Sequence, residues 1–145
     1  MAERKIPDNV FQEIKELTPS VLATSSDNKP YTTFITWLAA KDKKTVRFAL
    51  SKDSVSTDNL KKNPYASVEV FGEGFALSIS GPVKIIVDEI ENLPFPVSVF
   101  EMEVEKVVDN LFPGALIAGK IPFEHTGDTV QAQEFDRVVL EELTR

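Results

Sequence analysis

The chain has 145 residues, with 42% hydrophobic and 27% charged side chains, a balance that places it among globular proteins and away from disordered ones. It has no cysteine and one histidine, which excludes disulfide scaffolds, thiolate nucleophiles, iron–sulfur clusters and zinc sites, so no metal is expected. A formal net charge of -7 argues against non-specific nucleic-acid binding, and no apolar run is long enough for a signal peptide or a membrane span, so a cytoplasmic protein is expected.

Asp8 followed by Val10, Phe11, Ile14 and Leu17 gives a capping residue and apolar positions at helical spacing, which predicts a short helix over Asp8–Leu17 ended by Thr18-Pro19. Ser20–Ser25 reads as a strand. The turn residues Asp27-Asn28-Lys29 lead to a second strand, Tyr31–Ala39, and Lys41-Asp42-Lys43-Lys44 leads to a third, Thr45–Leu50. These three strands are expected to form an antiparallel meander.

From Ser54 the pattern turns helical, with Val55 and Leu60 apolar and Asn63-Pro64 as the stop, predicting a helix over Ser54–Lys62. Tyr65–Phe71 and Phe75–Val87 read as a hairpin about Gly72-Glu73-Gly74, the second strand bent or bulged at Gly81-Pro82. Val97–Val108 alternates as a sixth strand. Pro113–Pro122 reads as a loop carrying a helical turn. Asp128 with Gln131 resembles a capping box, and Val130, Phe135, Val138, Val139 and Leu143 predict an amphipathic C-terminal helix on the sheet.

No linker or repeat interrupts the chain, so residues 1–145 are read as one domain. It is a mainly β fold of about six mostly antiparallel strands with flanking helices: one at the N-terminus, one after the third strand and one at the C-terminus. Closure into a small barrel would remove exposed strand edges.

Few residues carry chemistry. His125 lies in a loop just before the last helix and reads more readily as a surface residue than as a base. No Gly-x-Ser-x-Gly elbow or Ser-x-x-Lys pair is present, and Phe71-Gly72-Glu73-Gly74-Phe75 lacks the third glycine and following helix of a dinucleotide loop. Paired glutamates such as Glu101 and Glu103 read as exposed faces.

Ser51 to Pro64 differs. Between Lys41 and Lys62, Lys41, Lys43, Lys44, Arg47, Lys52, Lys61 and Lys62 outnumber Asp42, Asp53 and Asp58, whereas acidic residues dominate after Val87. Within this basic stretch, Ser51, Lys52, Ser54, Ser56, Thr57 and Asn59 surround a helix start, where free backbone N–H groups and the dipole attract anions such as phosphate. Simple capping by Ser54, Ser56 and Thr57 explains the hydroxyls equally well.

Val21-Leu22-Ala23-Thr24, Pro30 to Trp37, Arg47-Phe48-Ala49-Leu50-Ser51, Ser54 to Pro64, Tyr65-Ala66-Ser67-Val68 and Leu77 to Val83 together resemble the FMN-binding split-barrel family related to pyridoxamine 5'-phosphate oxidase. The likeness covers about Val10 to Val87. It implies a split-barrel homodimer with FMN at the subunit interface, a flavin-dependent oxidoreductase of unknown substrate and redox partner. The carried-over phosphate positions are Ser54, Val55, Ser56, Thr57 and Asn59, and the carried-over ring contacts are Ile35, Thr36, Trp37, Leu50 and Ser51. Trp37 reads equally as core or dimer packing.

Val55 and Ser56 stand where family members commonly place arginine or lysine, so Lys52 or another cation would have to meet the phosphate. That departure supports an alternative, a non-catalytic dimeric binding module that has lost flavin. A related anionic cofactor, a deazaflavin or a haem, is a third reading. His125 and Arg137 alone do not make a phosphate site for pyridoxamine phosphate.

Overall fold

The structure is a computed structural model and describes residues 3–145. The first helix, α1 (Asp8–Ile14), sends Val10 and Ile14 into the interior beside Ile6. It is shorter than its apolar spacing suggests, because the Thr18 N–H is taken by the Leu38 carbonyl and draws the chain away after Lys15. Pro7 holds the N-cap position, so Asp8 is not the cap; it lies inside the first turn and forms an ion pair with Lys43.

Strands β1 (Ser20–Ser26) and β2 (Lys29–Ile35) form the expected hairpin. Asp27 and Asn28 connect them with φ of 54° and 61°, the left-handed pair that matches the twist of a two-residue turn. The expected second strand does not run on to Ala39. It breaks at Thr36-Trp37, and β3 (Leu38–Asp42) pairs with β4 (Thr45–Ser51), whereas β2 pairs with β1. The meander is therefore two hairpins joined at Thr36-Trp37, because the chain crosses there from one sheet to the other.

After β4 come α2 (Val55–Lys62), β5 (Tyr65–Gly72), β6 (Phe75–Val87), β7 (Val97–Glu103), β8 (Lys106–Asp109) and α3 (Thr129–Thr144). The strand order is β2-β1-β5-β6-β7-β4-β3, with β8 beside β6 and every pairing antiparallel. This is a split barrel. Its hinge is β6, which pairs with β5 as far as Pro82 and with β7 from Val83 onward. Gly81 permits the crossing, since a Cβ there would lie 1.9 Å from the Glu103 carbonyl oxygen. The expected sixth strand is likewise two, divided at Val104-Glu105, where the Val104 N–H reaches the Lys44 carbonyl and the Glu105 N–H the Ser80 carbonyl.

Alternation along β4 shows how the core is shared. Val46, Phe48 and Leu50 join the barrel interior with Leu22, Val68, Ile79, Phe100 and Met102, and the Phe48 and Phe100 rings stack at 5.6 Å. Ala49 joins a second cluster with Ala39, Val97 and Val99 against Val139 and Leu143 of α3. Between them Arg47, 8% exposed, donates to Glu101 and to the Arg145 carbonyl, tying the end of α3 to the barrel.

Residues 110–128 cross one side of the barrel without the expected helical turn; only a turn at Pro113-Gly114 forms there. The stretch is held at separated points instead. The Ile117 carbonyl accepts from Gly74, Lys120 Nζ donates to the Glu13 carbonyl, and Phe123 meets Phe34 edge-on at 6.3 Å. Asp128 caps α3 through the Gln131 N–H at 3.0 Å, as its spacing predicts. Val139 and Leu143 are buried, whereas Val130 is exposed and makes no part of the helix's inner face. Among the described residues no helix is long and apolar enough to cross a membrane.

Candidate functional site

The break between β2 and β3 lies beside the end of β4, and the two form an open groove of about 270 Å³ lined by Ile35, Thr36, Trp37, Ala49, Leu50 and Ser51. The Ala49 N–H donates to the Trp37 carbonyl at 2.9 Å and holds the two chain segments together. All five expected ring-contact residues thus meet in one place. Ala49 was missing from the expected set, although its small side chain between Phe48 and Leu50 points to the opposite face of the strand.

Ser51 also begins the turn into α2. The Ser54 hydroxyl accepts from the Thr57 N–H at 3.1 Å and donates to the Thr57 hydroxyl, which in turn donates to the Ser51 carbonyl at 2.7 Å. The Asp58 N–H reaches the Ser54 carbonyl. The hydroxyl protons of Ser54 and Thr57 are therefore used within the turn, and the first-turn N–H groups of Val55 and Ser56 are left without a partner within the helix. Ser56 and Thr57 are buried, and Asn59 donates to Thr24 on β1 at 3.0 Å, fixing the helix against the sheet.

Lys52 stands at the same turn, but its Nζ lies 3.0 Å from Asp88 and 3.6 Å from Glu89. The hydrogen bond to Asp88 holds its pKa above the ordinary lysine value. The cation at the entrance to the expected phosphate cradle is thus engaged by carboxylates that follow β6.

Trp37 is held from two sides. Its indole N–H donates to Asp136 Oδ1 on α3 at 2.8 Å, and its ring lies parallel to that of Phe95 at 6.2 Å. His125 Nε2 lies 3.5 Å from the other Asp136 oxygen. Asp88, Phe95 and Asp136 were not among the expected site residues, and nothing in their own sequence surroundings marks them.

Such a split barrel, with its groove at the crossing between sheets, is the architecture of a known family. Residues 6–109 match the family described as Pyridoxamine 5'-phosphate oxidase, and the chain belongs to it. No curated protein matches the chain.

Solved structures share the fold at low identity. A candidate pyridoxamine 5'-phosphate oxidase from Lactobacillus delbrueckii is 12% identical with a TM-score of 0.62, over 73% of this chain and 95% of that one. An F420 reductase is 18% identical with a TM-score of 0.58, over 71% and 98%. A FAD-binding protein from Mesorhizobium loti is 16% identical with a TM-score of 0.54, over 74% and 95%. Each is spanned almost entirely by under three quarters of this chain, and the family match ends at Asp109, before α3.

Proposed function

We propose that this chain is a cytoplasmic flavin-binding homodimer that holds FMN in the groove and serves as a flavin-dependent oxidoreductase. The observation that carries the reading is continuity: Ser51 both lines the groove and accepts the hydrogen bond that starts the α2 cap, so a flat ring and an anionic tail have adjoining places. Ile35, Thr36, Trp37, Ala49, Leu50 and Ser51 would hold the ring. The N–H groups of Val55 and Ser56, with Lys52 if it exchanges Asp88 for the ligand, would meet the phosphate.

The size of the groove supports the dimer. At about 270 Å³ and open to solvent, it falls below the roughly 300–1,000 Å³ of pockets that enclose a ligand of flavin size, which leaves room for a second surface to cover the ring.

Bound flavin supplies the redox chemistry, and the protein's part is to orient the ring and shield it from water. Pyridoxamine phosphate oxidation is not part of the proposal. Arg137 is paired with Glu134 and Glu141 along the outside of α3, and His125 faces Asp136.

Purified protein should be yellow, release FMN on denaturation and elute at twice its chain mass. Colourless protein that takes up neither FMN nor riboflavin would sink the reading. The Lys52–Asp88 pair specifically favours the second reading, a dimeric binding module without flavin, and that same colourless outcome would select it.

A further inference from the structure

The residues after Asp109 lie outside the family match, yet two neighbours on α3 hold one wall of the groove. A tryptophan at a strand break can turn about two side-chain torsions unless both its polar end and its ring face are held. Asp136 holds the polar end through the 2.8 Å bond to the indole N–H. Phe135 acts on the face indirectly, meeting Phe95 edge-on at 5.4 Å where Phe95 lies along the Trp37 ring.

The helix that presents these two residues is itself firmly seated. Val139 and Leu143 are fully buried, and Arg47 clasps the Arg145 carbonyl at 2.6 Å. Setting a half-buried carboxylate against a neutral indole donor gives up hydration without an opposite charge in full contact, since His125 stands 3.5 Å from the other oxygen. Packing alone does not require that arrangement. What it secures is one orientation of the ring.

We propose that Asp136 is a positioning residue of the ligand groove, fixing Trp37 so that its indole edge forms a set wall against the flavin ring. The segment added beyond the family's matched region thereby completes ring recognition. The inference rests on the flavin reading of the groove, and its test separates the two.

The probe is riboflavin, which lacks the phosphate and so isolates the ring. Trp37 is the only tryptophan, so protein emission reports on that side chain alone. Asp136→Ala should raise the riboflavin Kd about tenfold, the scale of a lost hydrogen bond to a charged group, and should red-shift and depolarise Trp37 emission. Asp136→Asn keeps an acceptor oxygen and should stay within about threefold of the original protein. On a Trp37→Phe background Asp136→Ala should add nothing, because the partner it orients is gone. Asp136→Ser, too short to reach the indole, replaces the alanine variant if that one does not fold.

Unchanged riboflavin binding and unchanged emission in Asp136→Ala would overturn the positioning role. So would a further tenfold loss on the Trp37→Phe background, which would mark a general effect of α3. Failure of the original protein to bind riboflavin or FMN would instead overturn the flavin reading and the ligand part of the inference with it.

Discussion

The barrel and the C-terminal segment are held together by different means. In the barrel, alternating side chains of antiparallel strands fill a continuous interior, where Leu22, Phe48, Val68, Ile79 and Phe100 are almost wholly enclosed. Residues 110–128 leave Phe112 and Leu116 exposed and depend on a few separated contacts, and α3 adds two deeply buried residues and the Arg47 clasp. The family match coincides with the first region and stops before the second. The difference teaches that the barrel supplies the scaffold and every residue lining the groove, whereas the later segment braces one of them, Trp37, from behind.

Substitutions can break or sharpen that contrast. Phe100→Ala removes one of two stacked rings from the barrel interior and should cost about 3–5 kcal/mol in denaturant unfolding. Its effect should spread to every element. Leu143→Ala should cost about 2–5 kcal/mol by the same reasoning, but amide exchange should accelerate in α3 before it does in β5 and β6. Equal acceleration in both regions would show one cooperative unit and dissolve the distinction.

At the turn into α2, Ser54→Ala removes a cap that accepts the Thr57 N–H and should destabilise the protein by about 1 kcal/mol in thermal unfolding. If the hydroxyl serves the cap alone, FMN and riboflavin affinities should fall together; a loss confined to FMN would return Ser54 to the phosphate.

The smallest effect is expected for Asp88→Asn, which removes the nearer of the two carboxylates on Lys52 and leaves Glu89 at 3.6 Å. FMN affinity measured by flavin fluorescence should rise a few-fold, with riboflavin unchanged, and the gain should shrink as salt screens it. The pair also has a pH signature. Because Asp88 raises the Lys52 pKa, its stabilisation is complete below the ordinary lysine value of 10.5 and is lost as pH climbs through the raised value. On the alkaline side the original protein should therefore lose its stability advantage over Asp88→Asn as pH rises through that raised value.

Much of the local structure was legible in the residues themselves. Asp27-Asn28 announced a hairpin, Ser54 and Asp128 announced helix starts, and Gly81-Pro82 announced the bend in β6, because each acts on backbone within a few positions of itself. Most of the groove lining was legible too, since Ile35 to Trp37 and Leu50-Ser51 lie in the short stretches that carry the family resemblance. The breaks at Thr36-Trp37 and Val104-Glu105 were not legible. An apolar, β-branched run reads as one strand whether or not its two halves pair with different sheets.

By itself the sequence determined the Asp27-Asn28 turn, the Ser54 and Asp128 caps, the alternation of the strands and the hydroxyl-rich entrance to α2, all of which follow from nearest-neighbour sterics and hydrogen bonding. Only the tertiary structure decided that Lys52 faces Asp88 and that Trp37 is held by Asp136. Those partners are 36 and 99 positions apart. Their meeting depends on where β6 crosses between sheets and where α3 docks, and no side chain near either residue encodes that path.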